Sequence, residues 1–207
     1  MDGVLVDGEP LHFRALNQLL AEEGRSISLE QYRPYMGTKA GWAEFIADFG
    51  LRHARDHYAP RYHELILAQY RSELEPLPGA IEAVRAARAS GARVGLASSS
   101  AREWVEACLE RIGLDSAFDA IVTGSDIVDG KPSPEIYLAA ARRLAVDPAR
   151  SLAIEDAPAG IAAALDAGMT CWAVLTEYTR GLDLGRPHRV LGSLAELRPA
   201  DFREVAA

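Results

Sequence analysis

Apolar positions change their spacing along this chain in a way that divides it. Leu11, Ala15, Leu16, Leu19 and Leu20 recur at helical spacing and share one face, and Gly24 follows where a helix would end. Helical patterning continues to about Ser72 through a stretch rich in Tyr, His and Arg that offers no strand. It stops at Pro76, Pro78 and Gly79. Beyond Gly79 short apolar runs alternate with longer helical stretches. Residues 93–97, 120–122, 152–154 and 171–174, with a last run near Val190, read as strands. Residues 81–89, 103–112, 135–144 and 160–167 read as helices, the last closing on Gly168. Strand and helix in alternation predict a parallel sheet. The expectation is one α/β core built from residues 1–8 and 76–207, with a helical domain inserted over residues 9–75.

Composition narrows the picture. The chain has 207 residues, 49% hydrophobic and 25% charged, enough for a full core and a smaller second one. A formal charge of −8 supplies no basic excess for a phosphate backbone, so no nucleic-acid partner is expected. A small anionic ligand would instead need a local positive site. Cys108 and Cys171 have no paired spacing, which reads as two packed thiols in a reducing compartment. No run approaches the ~20 apolar residues of a membrane span, and no basic segment precedes an apolar one at the amino terminus. A cytoplasmic protein, monomeric by default, is expected.

The chemistry lies directly after the apolar runs. Asp2 and Asp7 bracket Gly3-Val4-Leu5-Val6, while Ser98, Ser99 and Ser100 follow Val94-Gly95-Leu96-Ala97. Glu155 and Asp156 follow Leu152-Ala153-Ile154, and Lys131 sits in the loop Asp129-Gly130-Lys131-Pro132-Ser133-Pro134-Glu135, where Ser133 would cap a helix starting at Pro134. Ligands of open α/β sheets bind at the carboxyl ends of the strands. Carboxylates there suit Mg²⁺ in contact with a phosphate, and a lysine, serines and a helix start near Arg102 would offset phosphoryl charge. Taken singly, the serines read as a helix cap, Lys131 as a solvated lysine, and Glu155-Asp156 as a turn with a cap. Their occurrence in this order at equivalent strand ends favours a common site.

In that order the segments resemble the four motifs of the haloacid dehalogenase superfamily, in its β-phosphoglucomutase-like branch of phosphatases and mutases. The matching segments are Asp2-Gly3-Val4-Leu5-Val6-Asp7, Leu96-Ala97-Ser98-Ser99-Ser100, Gly130-Lys131-Pro132-Ser133-Pro134-Glu135 and Ile154-Glu155-Asp156-Ala157-Pro158-Ala159-Gly160-Ile161. The resemblance implies a Rossmann-like core with an α-helical cap and a Mg²⁺-dependent phosphatase of small phosphorylated metabolites such as sugar phosphates, working through an aspartyl-phosphate. It makes Asp2 the general acid and base, whose carbonyl also meets the metal. Ser98, Ser99 and Lys131 become phosphate-binding residues, Lys131 counting with Asp2 as catalytic, and Glu155 and Asp156 become metal-binding residues. His12 matches a histidine near the general acid, or reads as a helix-surface residue facing the inter-domain cleft. Lys39, in Gly37-Thr38-Lys39, falls where the branch places a substrate-facing cap loop, or reads as solvated.

One departure stands out. The first motif of the family is Asp-x-Asp after an apolar strand, and Met1 occupies the x position. The nucleophile would therefore lie immediately before Met1, with most of the first strand, and the expectation is a true start upstream. Competing readings are a β-phosphoglucomutase-like isomerase and a non-catalytic phosphate-binding pseudoenzyme. The absence of an obvious counterpart to the mutase's cap-loop arginine favours hydrolysis. A receiver domain is set aside because it has no helical insert after its first strand.

Overall fold

The computed structural model describes residues 1–35 and 42–206. The chain divides into two compact units, one formed by Met1–Asp7 and Glu75–Ala207 and the other by Gly8–Leu74.

In the second unit, Pro10 in the first turn and an apolar face every three or four residues produce helix α1 (Glu9–Ala21). The five buried residues of α1 are those whose spacing defines the face: Leu11, Ala15, Leu16, Leu19 and Leu20. A short helix α2 (Leu29–Tyr32) starts at a reciprocal cap between Ser28 and Gln31. Helices α3 (Trp42–Asp48) and α4 (Arg55–Glu73) follow. Helix α4 packs along α1, and Leu16, Leu19, Leu20, Ile27, Tyr32, Phe45, Leu51 and Tyr58 form the core.

The first unit alternates helix and strand: α5 (Ala80–Ala89), β1 (Gly95–Ala97), α6 (Arg102–Arg111), β2 (Ala120–Val122), α7 (Glu135–Leu144), β3 (Leu152–Glu155), α8 (Pro158–Asp166), β4 (Thr170–Val174), β5 (Arg189–Leu191) and α9 (Pro199–Ala206). All strand pairs are parallel, with α6 connecting β1 to β2 and α8 connecting β3 to β4. Strand β4 is buried at four of its five residues, as a parallel strand covered on both faces should be. Gly168, at φ +80°, ends the α8 segment in the left-handed conformation.

The sheet differs from expectation in one respect. It lies in two pieces, β1-β2 and β3-β4-β5, with no strand pairing β1 to β3 among the described residues. The run Gly3-Val4-Leu5-Val6 is a turn: Gly3 adopts φ +72°, its N–H donates to the Val6 carbonyl at 2.8 Å, and the Leu5 N–H donates to the Met1 carbonyl at 2.8 Å. These local bonds use groups that a strand would offer to its neighbours. Asp2 and Val6 pair only as an isolated bridge. Both sheet pieces nevertheless share one core, in which Val122 of β2, Ile136 of α7, Ala153 of β3, Ile161 of α8 and Cys171 of β4 cluster.

Cys108 and Cys171 are free, buried thiols. Burial pushes both up to about 12, so neither is a thiolate near neutrality. Among the described residues no helix is long and apolar enough to cross a membrane.

Candidate active site

Strand β1 delivers the serines. The Ser98 N–H donates to the Val122 carbonyl at 3.0 Å, carrying the β1-β2 ladder one residue further, and Ser98 is buried. Its hydroxyl accepts from the Ser100 N–H at 3.2 Å, and the Ser100 hydroxyl donates to Asp2 Oδ2 at 3.4 Å. Ser99 is exposed between them. None of the three caps α6, whose N-cap is Ala101 without a side-chain bond. Reading them as a helix cap therefore fails.

Strand β3 delivers the acidic pair. Glu155 ends the strand and is buried, with its carboxylate paired to the Lys131 ammonium and bonded by the Tyr137 hydroxyl. Lys131 Nζ also lies 5.2 Å from the centre of the Tyr137 ring. With 14% of its side chain exposed, Lys131 is no solvated loop lysine. Helix α8 starts from Ala157 without a side-chain cap, so Glu155 and Asp156 do not serve as one. Ser133 precedes Pro134, whose backbone is already helical, and its hydroxyl accepts the Glu135 N–H at 3.3 Å, the bond expected of a cap at the start of α7.

Two glycines allow the approach. A Cβ on Gly160 would sit 2.1 Å from Glu155 Oε2, and one on Gly3 would sit 2.0 Å from Asp156 Oδ2. The Asp2-Gly3 turn thus touches both Ser100, after β1, and Asp156, after β3.

Electrostatics separate the two acids. Burial works to raise the Glu155 carboxyl, but the Lys131 ammonium and the Tyr137 hydroxyl outweigh it and hold that carboxyl below its ordinary value. Burial and the Glu155 charge push Tyr137 well up, so it remains a hydroxyl donor. Asp156, raised by burial and then by the Glu155 charge, reaches about 7. One lysine therefore faces more negative charge than it neutralises. Asp2, Glu155 and Asp156 would offer the oxygen donors that a hard divalent cation such as Mg²⁺ prefers.

The profile of the haloacid dehalogenase-like hydrolases matches residues 1–168. The chain belongs to that family. Among its relatives, hexitol phosphatase B of Escherichia coli K12 is 34% identical over 177 residues, covering 82% of this chain and 78% of the relative. The phosphorylated carbohydrates phosphatase of Thermotoga maritima is 28% identical over 207 residues, covering 99% and 94%. The structure of CbbY from Rhodobacter sphaeroides in complex with phosphate superposes with a TM-score of 0.83 at 33% identity, covering 95% and 93%.

In this haloacid dehalogenase-like hydrolase, both ring nitrogens of His12 are engaged inside the helical unit. Nδ1 lies 2.8 Å from the Tyr62 hydroxyl and Nε2 3.0 Å from that of Tyr70. Lys39 lies outside the described residues. Sequence reasoning did not single out Tyr137, although a tyrosine on the buried face of a helix needs a partner for its hydroxyl and so marks a nearby polar group. It noted Ser100 without giving it a role.

Proposed function

We propose that this hydrolase cleaves phosphoric monoesters of small phosphorylated metabolites, sugar phosphates foremost, with Mg²⁺ as cofactor. The observation that carries the reading is the Asp2-Gly3 turn set against Ser100 after β1 and Asp156 after β3, next to a Glu155 carboxylate paired with Lys131. The substrate class is supported by two relatives named as phosphatases of hexitols and of phosphorylated carbohydrates. A CbbY structure solved in complex with xylulose-1,5-bisphosphate, 32% identical, points the same way.

In the proposed reaction, the phosphoryl group rests against Ser98, Ser99 and Lys131, whose donors offset charge on its oxygens. An aspartate carboxylate attacks phosphorus to form an aspartyl-phosphate, and the bond to the leaving oxygen breaks. Asp2 donates its proton to that oxygen, then takes a proton from the water that attacks the aspartyl-phosphate and releases phosphate. Asp2, Glu155 and Asp156 would hold Mg²⁺, which when bound supplies positive charge to the phosphoryl oxygens.

The test is Mg²⁺-dependent phosphate release from a panel of sugar phosphates, by this chain and by one extended upstream with an apolar strand ending in Asp. Release by the extended form, abolished by chelation and reduced about 10²- to 10⁴-fold in Asp2→Asn, is the expected result. Equal release by Asp2→Asn would overturn the role of Asp2, and comparable release by both chains would overturn the nucleophile. Interconversion of sugar phosphates without free phosphate would make the protein a mutase.

A further inference from the structure

We propose that the helical unit holds a transition-metal ion, Zn²⁺ by its donor set, on Glu23, His53 and His57. One ligand atom from each of these residues lies within 4.8 Å of those of the other two. They come from different parts of the unit: Glu23 just beyond the end of α1, His53 in the segment before α4, and His57 in the first turn of α4. The two imidazoles lie side by side, their ring centres 4.1 Å apart with planes inclined by 34°.

The surroundings favour an ion over a chance cluster. Tyr58, buried directly beneath, donates its hydroxyl to Glu23 Oε1 at 2.5 Å and accepts the His53 N–H at 3.2 Å, so a single side chain fixes both the carboxylate and the backbone of a histidine. The second carboxylate oxygen, Glu23 Oε2, is buried without a hydrogen-bond partner. A buried acceptor left in that condition is costly, and a cation removes the cost. The nearby Arg61 does not supply the charge, because its guanidinium is bonded to Glu22 and Glu64. The three residues line a cavity of about 440 Å³, which leaves room for an ion and its water.

Donor type selects the metal. Two imidazole nitrogens and one carboxylate oxygen suit Zn²⁺ and its first-row neighbours, whereas Mg²⁺ prefers oxygen alone. Tetrahedral Zn²⁺ holds its ligand atoms about 3.4 Å apart, given bonds of about 2.0–2.1 Å. The ligand atoms lie within 4.8 Å of one another, and both histidines are exposed, so their side chains can adjust toward that spacing. Three protein ligands leave one position for water or a ligand. An ion bound there ties the end of α1 to the start of α4, the two helices that pack along each other.

The experiment is a Zn²⁺ titration of the full chain in excess Mg²⁺, which keeps the Asp2, Glu155 and Asp156 oxygens engaged. Histidine-ring NMR signals and the melting temperature are followed. Signals of His53 and His57 should shift and saturate at a single equivalent, and the melting temperature should rise with added Zn²⁺. Both effects should vanish in a His53→Ala, His57→Ala double variant, and Tyr58→Phe should weaken binding about 10- to 100-fold. Histidine signals indifferent to Zn²⁺, or a thermal shift retained in the double variant, would overturn the site. Phosphate release is not the readout, so the outcome stands apart from the proposed reaction.

Discussion

Lys131 and Tyr137 both reach Glu155 Oε1, one with an ammonium and one with a hydroxyl. Tyr137→Phe keeps the ring beneath Lys131 and deletes only the hydroxyl. Urea unfolding near neutrality should register a loss of about 1.5–3 kcal/mol, the range for a hydrogen bond to a charged group. Lys131→Met should cost more, about 3–5 kcal/mol, because it strands a buried carboxylate. A second residue predicts pH dependence. Asp126 accepts from Arg143, from the Thr123 N–H and hydroxyl, and from Arg102, and these donors hold its carboxyl well below the usual carboxylate range. The folded chain therefore binds that proton more weakly than the unfolded chain does. The stabilisation is present above about pH 4 and disappears as acid titrates the folded carboxyl. Asp126→Asn should give a visibly flatter decline of the urea midpoint below pH 4, and an unchanged slope would contradict this account. Residue identities at these positions were legible in the sequence, but their partners were not. The order of the strand-end segments grouped Lys131 with Glu155 in one site, but nothing along the chain shows that the lysine is desolvated against that carboxylate or that Tyr137 joins it there.

Elements were more readable than contacts. Helix α7 occupies Glu135–Leu144 as the pattern predicts, because a proline just before it and an apolar face along it are both local signals. Strand β1 is shorter than its apolar run. The Val94 N–H donates to the Asp119 carboxylate at 2.8 Å instead of to a neighbouring strand, and the register with β2 begins at Gly95. Strand β3 is longer than its run. Glu155 stays in register with Ala173, and its charge is tolerated because Lys131 meets it there. The Gly3–Val6 run shows the opposite failure, since its composition suits a strand while a left-handed glycine turns it back on itself. Ile136 tests the role of α7 as the element that packs on β1, β2 and α8. It is fully buried in the shared core, so Ile136→Ala should lower stability by about 2–5 kcal/mol in urea unfolding.

For the molecule as a whole, the division at Asp7/Gly8 and Leu74/Glu75 gives each unit its own apolar cluster. Local unfolding follows such clusters. Leu20→Ala, in the core of the helical unit, should speed hydrogen exchange across α1 and α4 while leaving β3 and β4 protected. Uniform loss of protection over both units would show a single cooperative whole instead. The sequence by itself determined the alternation of helix and strand, the helical stretch before Pro76 and the order of the four motifs. Periodicity, caps and turn residues act between near neighbours and can be read along a line. Only the tertiary structure decided which carboxylate is neutralised and which is raised, why Tyr137 is needed, and that Glu23 meets His53 and His57. Those outcomes depend on distance and desolvation through space, which separation along the chain does not encode.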